Sequence, residues 1–482
     1  MQENINTNAD IYHDAKIWQI GFFVLNNTAV NIYFMLMLYI AYFASGVLGL
    51  GVAVVSSLLA VLVVVDGLMD PLVGWFIDLT KGRFGKFRPF MLAGNIIMAF
   101  SLILMYFSQD TSTGMRLPLF VISYTVYVIG HTCQFCVTRA AQSVLTNNPK
   151  QRPVFSAFDM AMNVILYVGI TIVVSNVLVP RHGGFYASMF AEFFLFAACA
   201  SFVCTCLAII GIWGKDRPAF FGFAEKMPKI KLRDCWSVLC ENRNIQMLIL
   251  ASSTDKLFSS ITQNAVISVI IFGIIAGDFA LSGQVNMFVF APSMAISMLV
   301  IQFARKKGQK EALLLSTYGG IIFTVFIFLL FLFGNPSTLD FVSWGIFTVL
   351  FLIFLALRGG FMSVNNSILV PMVADCVDHE TMRSGRYIPG MIGALFTFAD
   401  KVVTSLNSVI VGVLVMSAGF LTEFPTVDTP YTEALFWVGM IAYCFLPILG
   451  WIINIVCLRR YDLTKAQMAK IQQSIKVRGR IK

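Results

Sequence analysis

Residues Asp66–Pro89 read DGLMDPLVGWFIDLTKGRFGKFRP, an apolar half followed by a basic half. The apolar half suits a bilayer, yet it carries Asp66 and Asp70, which stand four residues apart and therefore share one face of a helix. A charge at a bilayer centre costs ~2.5–3.5 kcal/mol on insertion scales, and neighbouring carboxylates repel each other. The pair therefore indicates a site for a cation or a proton. The alternative is a buried structural network with an intramembrane cation such as Lys401.

The composition is that of a membrane protein. Of 482 residues, 58% are hydrophobic and 12% are charged, and the mean hydropathy is +0.80. Apolar runs recur at the length of a bilayer-spanning helix, about 20 residues, and residues 1–16 lack the apolar core of a signal peptide. Twelve spans are predicted, at 18–43, 50–78, 89–107, 117–145, 155–180, 185–213, 246–275, 282–304, 311–333, 342–373, 389–419 and 431–457.

Basic residues predict the orientation of these spans. With the N-terminus inside, 28 of the 34 Lys and Arg residues fall in inner segments, two fall in outer loops, and four lie within spans. The positive-inside rule then places both termini in the cytoplasm, as expected for a multi-pass protein of a bacterial-type cytoplasmic membrane. The formal charge of +9 is explained by basic loops facing an anionic inner leaflet, and does not indicate nucleic-acid binding. The ten cysteines show no spacing typical of disulfides or zinc.

The longest predicted inner loop, residues 215–245, separates two sets of six spans. We expect an N-terminal bundle at 1–214, a C-terminal bundle at 246–458 and a basic cytoplasmic tail at 459–482. Basic turns recur at matching places, KGRFGKFR after span 2 and RKKGQK after span 8, as in transporters built from two repeats. In the tail, an apolar face predicts a helix lying on the inner leaflet, with a disordered tail as the alternative; that face comprises Leu463, Met468, Ile471 and Ile475.

Four stretches resemble the glycoside–pentoside–hexuronide cation symporters, the melibiose-permease branch of the major facilitator superfamily. They are Asp66–Pro89, Met372–Gly390 (MVADCVDHETMRSGRYIPG), Phe396–Phe420 with Lys401, and the turn Leu145–Arg152 (LTNNPKQR). The resemblance implies an all-α integral membrane protein of twelve helices in two pseudo-symmetric bundles. It also implies alternating access, symport of a sugar with Na⁺, Li⁺ or H⁺, no enzymatic activity, and no cofactor beyond the coupling ion.

The resemblance also implies a cation site. Asp66 and Asp70 match the coupling carboxylates of the family, and an ungapped count places Thr132 at its hydroxyl ligand. The family's asparagine before the second carboxylate is Met69 here, which weakens Na⁺ relative to H⁺. His131, next to Thr132, is either titratable near neutral pH or a helix–helix hydrogen-bond partner.

The expected substrate site departs from the family. Two sugar-binding aspartates are replaced by Val30 and Phe135, and Arg139 stands where the family has a sugar-stacking tryptophan. With Arg358 in span 10, the guanidinium groups suggest an acidic glycoside such as a hexuronide. The alternative is that both arginines form packing or gate pairs, Arg139 with Asp159. The remaining expected substrate contacts are Asn31, Asn366, Thr397 and Lys401.

Charged residues at the inner ends are expected to form a gate that opens and closes with transport. Two sets of ion pairs would break and re-form during transport. In one set Asp78 pairs with Arg83, Lys86 or Arg88, and in the other Arg386 pairs with Asp375 or Asp378. The alternative is that these charges only set topology.

The function that these residues favour is cation-coupled uptake of a glycoside by a monomer in contact with membrane lipids. A major-facilitator carrier of an amphiphile, lipid or drug stays open, because 45 phenylalanines and 23 methionines suit a greasy cavity as well as a lipid-facing surface. A non-transporting sensor is a third possibility. The adjacent Asp255 and Lys256 form either an internal ion pair or part of a cavity.

Overall fold

The computed structural model describes residues 14–80, 84–146, 152–217, 241–384, 389–468 and 470–471. The chain divides into two compact units. One contains Met1–Leu58 and Val65–Pro228, and the other contains Leu59–Val64 and Lys229–Lys482. The calls for Arg83 and Arg386 fall outside the described residues.

Six long helices lie wholly or mostly in the first unit. They are α1 (Ile17–Met37), α2 (Val52–Leu79), α3 (Arg88–Phe107), α4 (Thr113–Ala140), α5 (Arg152–Ile172) and α6 (Ala187–Ile212). Short pieces extend or connect them, namely the helices Ile40–Tyr42, Gln142–Leu145 and Val179–His182, the π-helical turns Phe43–Val47 and Val173–Leu178, and the 3₁₀ turn Ser108–Asp110.

Six further helices build the second unit. They are α7 (Arg243–Thr262), α8 (Leu281–Lys307), α9 (Gln309–Phe333), α10 (Ile346–Ser384), α11 (Pro389–Thr404) and α12 (Glu433–Met440). Three of them continue past a break, α7 into Ala265–Ser268 and Val269–Ile275, α11 into Leu406–Ser417, and α12 into Ile441–Phe445 and Leu446–Arg459. A 3₁₀ turn, Pro336–Thr338, precedes α10.

The predicted set of twelve spans is confirmed. Among the described residues, eleven helices are long and apolar enough to cross a bilayer, and a twelfth span is α7 with its continuation, which bends by 48°. Asn264 stands at that bend, and its side chain accepts the N–H of Val266 at 3.0 Å, so the second half begins with its own cap. The largest departure from the predicted limits is α10, which runs eleven residues beyond the apolar stretch that predicted it.

The two units repeat one packing plan. In the first unit α1 packs on α4, α5 and α6, and α3 packs on α4 and α6. In the second unit α7 packs on α10, α11 and α12, and α9 packs on α10 and α12. Each of these five pairs recurs after a shift of six helices, so this part of the packing is repeated in the two units, as in transporters built from repeats.

A close crossing fixes α3 against α4. A Cβ atom on Gly94 would lie 2.8 Å from the carbonyl oxygen of Gly130, and one on Gly130 would lie 2.7 Å from that of Gly94. Larger residues would force the two backbones apart. Small residues at such crossings are typical of membrane helices.

The start of the tail packs against protein, which corrects the prediction that its apolar face lies on the inner leaflet. Tyr461, Leu463, Met468 and Ile471 are all buried in the core of the second unit. Their neighbours there include Leu313, Met372 and Cys376. The same apolar spacing that suits a lipid surface therefore closes the end of this helical bundle.

Candidate functional site

The intramembrane carboxylate Asp66 is held by side chains of α4. The hydroxyl of Thr132 donates a hydrogen bond to Asp66 Oδ1 at 3.1 Å. His131 Nδ1 lies 3.7 Å from the same oxygen, and its ring stacks on Phe135 with centroids 5.5 Å apart. A carboxylate, a hydroxyl and an imidazole thus meet at one point of a partly exposed surface in the first unit.

Asp70 lies one turn further along α2. Cys136, one turn beyond Thr132, places its Sγ 3.8 Å from the backbone oxygen of Asp70. The two helices are therefore in register, Asp66 opposite Thr132 and Asp70 opposite Cys136. Oxygen ligands of this kind suit a hard cation, and the neighbouring histidine adds a group that can exchange a proton. The roles assigned to Asp66, Asp70 and Thr132 stay predictions.

A second polar cluster connects α1 and α5. The Nδ2 atoms of Asn27 and Asn163 donate to Asp159 Oδ1 and Oδ2 at 2.7 and 3.1 Å, and Asn31 Nδ2 donates to Asn163 Oδ1 at 2.6 Å. All four side chains are half-buried. We call them the α1–α5 cluster. Sequence analysis named Asn31 as a substrate contact and Asp159 as an alternative partner of Arg139 but did not connect the two, although the i, i+4 spacing of 27 with 31 and of 159 with 163 was a signal for two facing polar stripes.

A buried network beneath this cluster holds α1 in place. Asn26 Nδ2 donates to the backbone oxygen of Gln134 at 3.1 Å and to Thr138 Oγ1 at 2.7 Å. Gln134 Nε2 donates to Asn26 Oδ1 and to Thr205 Oγ1 at 3.0 and 2.8 Å. These bonds tie α1, α4 and α6 together, which makes the face presenting Asn27 and Asn31 rigid.

The basic turn before α3 has a partner that sequence analysis missed. Asp216, just beyond α6, accepts the backbone N–H groups of Lys86, Phe87 and Arg88 at 2.9–3.1 Å, and Arg88 Nε lies 3.3 Å from its Oδ2. The expected partner of Arg88 was Asp78, whose side chain lies outside the described part of the chain. Arg88 forms an ion pair with Asp216 because the end of α6 returns to the start of α3, and the pairing of Arg88 with Asp78 stays a prediction.

The C-terminal extension of α10 carries the other expected gate carboxylates. Burial, followed by the nearby negative charge of Asp378, raises the pKa of Asp375 to about 6. Burial also raises the pKa of Asp378. Close by, Asn242 Nδ2 donates to the buried Glu380 at 2.6 Å, while the Asn242 side-chain oxygen caps α7. The end of α10 is thereby fixed to the start of α7.

Two charged residues that are adjacent in the sequence of the second unit, Asp255 and Lys256, have different partners. Lys256 forms an ion pair with Asp400 of α11, and Ser253 Oγ donates to Asp400 Oδ1 at 2.9 Å. The neighbouring Asp255 accepts from Asn365 Nδ2 at 3.1 Å and from Trp451 Nε1 at 2.9 Å. The alternatives for Asp255 and Lys256 were an internal ion pair or part of a cavity. Lys256 does form an ion pair, but its partner is Asp400 on another helix.

The remaining expected substrate residues are placed as follows. Thr397 and Lys401 share one face of α11, both partly buried. Arg358 is 3% exposed, and its Cζ lies 4.5 Å from the ring centroid of Tyr443 in the last span. The side chains of Arg139 and Asn366 lie outside the described residues.

Comparison with known proteins agrees with this architecture. The model of the family described as MFS/sugar transport protein matches residues 23–465. The putative glycoside/cation symporter YagG of Escherichia coli K12 is 21% identical over 450 residues, 91% of this chain and 90% of the relative. The isoprimeverose transporter of Lactiplantibacillus pentosus is 23% identical over 465 residues, 95% of this chain and 92% of the relative. A crystal structure of a mutant of the nucleoside transporter NupG shares the fold, with a TM-score of 0.65 at 11% identity over 92% of this chain and 100% of that one.

Proposed function

We propose, from the premise that the chain belongs to the MFS/sugar transport protein family, that it couples the entry of a glycoside to that of a cation. The observation that carries this proposal is the intramembrane carboxylate Asp66 with the hydroxyl of Thr132 bonded to it. Two full-length relatives are named as a putative glycoside/cation symporter and a sugar transporter, which supports the same activity. The coupling ion is Na⁺ or H⁺.

The cation acts by relieving repulsion between Asp66 and Asp70. Two carboxylates on one helix face are costly while both are charged and unneutralised, and a bound cation or proton removes that cost. The neutralised pair then favours the state that binds the glycoside. Coupling follows because the empty and the doubly loaded carrier interconvert freely, whereas the singly loaded carrier does not.

We place the glycoside at the α1–α5 cluster. Amide and carboxylate oxygens accept hydrogen bonds from sugar hydroxyls, and amide N–H groups donate to them. This cluster is half-buried and is held by the rigid network of Asn26 and Gln134. Its one charge is the negative Asp159, which favours a neutral sugar ring at this position. An acidic glycoside would depend on Arg139, one of the residues that we expected to bind substrate.

The setting that we propose is the cytoplasmic membrane, with both termini inside. The bias of Lys and Arg toward inner segments supports this orientation. A monomer suffices for the mechanism, because each unit carries its own set of six helices.

Uptake into membrane vesicles tests the proposal. A panel of neutral and acidic glycosides is offered with and without a Na⁺ or H⁺ gradient, and gradient-driven accumulation of at least one is expected. Asp66→Asn with Asp70→Asn should abolish accumulation, while Asp110→Asn, at an exposed carboxylate of the same unit, should not. Accumulation by the double variant would overturn the proposal. Efflux of drugs or lipids without glycoside uptake would favour the amphiphile carrier instead.

A further inference from the structure

A small cavity with both polar and apolar lining residues lies inside the second unit, which does not contain Asp66 or Asp70. Its volume is about 20 Å³, enough for one particle the size of a water molecule. Its polar lining residues come from α7, from α10 and from the continuation of α12. The lining residues that matter to the argument are Ser252, Asp255, Lys256, Asn365 and Asn454.

Two amide oxygens at this cavity have no hydrogen-bond donor among the described residues. Asn365 is 5% exposed and Asn454 is 2% exposed, and the Oδ1 atom of each is buried without a partner in that part of the chain. A buried carbonyl oxygen left without a donor costs roughly 1–3 kcal/mol. Two such oxygens on side chains that line one cavity point to a positively polarised occupant.

The carboxylate of Asp255 adds a negative charge, and its described hydrogen-bond donors are neutral groups. These donors are the amide of Asn365 and the indole of Trp451. Lys256, the ammonium nearest in sequence, forms its ion pair with Asp400. Asp255, Asp400 and Lys256 together therefore carry one net negative charge.

We propose that this cavity is a binding site for a hard monovalent cation such as Na⁺, with Asp255, Asn365 and Asn454 as its oxygen ligands. One carboxylate and neutral carbonyl oxygens match such an ion in charge and in ligand type, whereas divalent ions take several carboxylates. Ser252 stands one turn before Asp255 on the same face, and because its hydroxyl hydrogen goes to the backbone oxygen of Ile249, its oxygen is available as a further ligand. The ion neutralises Asp255 and satisfies both amide oxygens, which a water molecule does only in part.

This site goes beyond the proposed symport, because the cation site and the glycoside site proposed above both lie in the first unit. It ties three helices of the second unit through one ion, so its direct effect is on the stability of that unit. The test must therefore remove the first-unit carboxylates and read a property other than transport.

Thermal unfolding of the full-length Asp66→Asn, Asp70→Asn variant in detergent provides that test. The unfolding midpoint is measured in NaCl and in choline chloride at equal ionic strength over a range of pH. We expect a saturable rise with Na⁺ in this background. Equal midpoints in the two salts would overturn the proposal, and so would a midpoint that rises on acidification with no response to Na⁺, since that would indicate protonation of Asp255 instead.

Asp255→Asn, added to the same background, gives the decisive comparison. The new amide can donate to the orphan oxygens and carries no charge, so we expect a higher midpoint in choline and loss of the Na⁺ response. Asn454→Leu should weaken the apparent Na⁺ affinity about tenfold, and Asn407→Leu, at an asparagine of the same unit outside the cavity, should leave it unchanged. A full Na⁺ response in Asp255→Asn would place the ion elsewhere and overturn the assignment.

Discussion

Asp216 Oδ2 accepts the backbone N–H of Arg88 at 3.1 Å, although 127 residues separate them in the sequence. The carboxylate stands at the N-terminus of α3, where it satisfies free N–H groups and meets the positive end of the helix dipole. Gly85 makes the contact possible. Its φ is +92°, and a Cβ atom there would lie 2.1 Å from Asp216 Oδ2.

Asp216→Asn is expected to lower the free energy of unfolding by about 1.5–3 kcal/mol, because the hydrogen bonds lost or weakened involve a charged acceptor. The midpoint of thermal unfolding of the purified protein measures this change. Asp278→Asn is the control, since Asp278 is exposed and accepts the backbone N–H of Ala280. Equal midpoints for the two variants would show that Asp216 is not a structural cap.

Thr132→Val is expected to weaken the apparent affinity for the coupling cation about tenfold, the effect of losing about 1.4 kcal/mol at the site. Valine keeps the shape of threonine but removes the hydroxyl that bonds Asp66. Uptake is measured against cation concentration at a fixed glycoside concentration. In the control Thr125→Val, the lost hydroxyl bonds only the backbone oxygen of Val121 in its own helix. A similar loss in both variants would argue against Thr132 as a ligand.

Asp159→Asn is expected to raise the KM for the glycoside about tenfold and to leave the cation dependence unchanged. In the variant one of the two amides of Asn27 and Asn163 keeps an oxygen acceptor and the other loses it, and the strong charged acceptor for a sugar hydroxyl is gone. Glu192→Gln, near the start of α6 in the same unit, controls for loss of a carboxylate. The opposite pattern, an altered cation dependence with unchanged KM, would indicate that Asp159 belongs to the cation site and not to the glycoside site.

The spans could be predicted from the sequence because a bilayer demands about 20 consecutive apolar residues. The C-terminal end of α10 could not be predicted in this way, because the apolar stretch ends near residue 373. The helix continues to Ser384, and Cys376 and Val377 are buried there in the protein core. The tail was misplaced for a related reason. Spacing identified the apolar face of Leu463, Met468 and Ile471, but spacing is silent on whether lipid or protein covers it.

The carboxylates at the candidate sites were recognisable one by one, whereas their partners were not. Asp66 and Asp70 stand out as charges in an apolar run, and the family resemblance added Thr132, which the structure places on Asp66. Asn27, which donates to Asp159, and Lys86, which donates to Asp216, are each more than a hundred residues away from the carboxylate in the sequence. Only packing decides which of several acids meets a given base or amide.

Asp375→Asn is expected to change the pH dependence of stability. Because the folded pKa of Asp375 is raised to about 6 from 3.8, the folded protein binds more protons than the unfolded chain between these values. Its free energy of unfolding therefore falls as the pH rises through that window. The variant should be more stable than the wild type at neutral pH, with the difference vanishing near pH 3.8, as measured by thermal unfolding.

Asp340→Asn provides a control of opposite sign for the pH experiment. Backbone N–H groups of Val342 and Ser343 lower the pKa of Asp340, so its contribution to stability is present above the unfolded pKa and is lost on acidification. This variant should be less stable than the wild type at neutral pH. An Asp375→Asn variant that behaved like Asp340→Asn would show that a positive partner stabilises the Asp375 carboxylate.

Arg358→Lys and Tyr443→Leu are expected to lower the stability by about 1–2 kcal/mol each, with no change in preference between neutral and acidic glycosides. The Cζ atom of Arg358 lies 4.5 Å from the centroid of the Tyr443 ring, and at 3% exposure the guanidinium is desolvated, where cation–π attraction is strongest. Lysine retains the charge but loses the planar group, and leucine removes the ring. Tyr443→Phe keeps the ring and should behave as the wild type. Thermal unfolding and competition between glycosides measure the two properties, and a KM that rises in Arg358→Lys for acidic glycosides alone would restore Arg358 as an anchor for an anionic substrate.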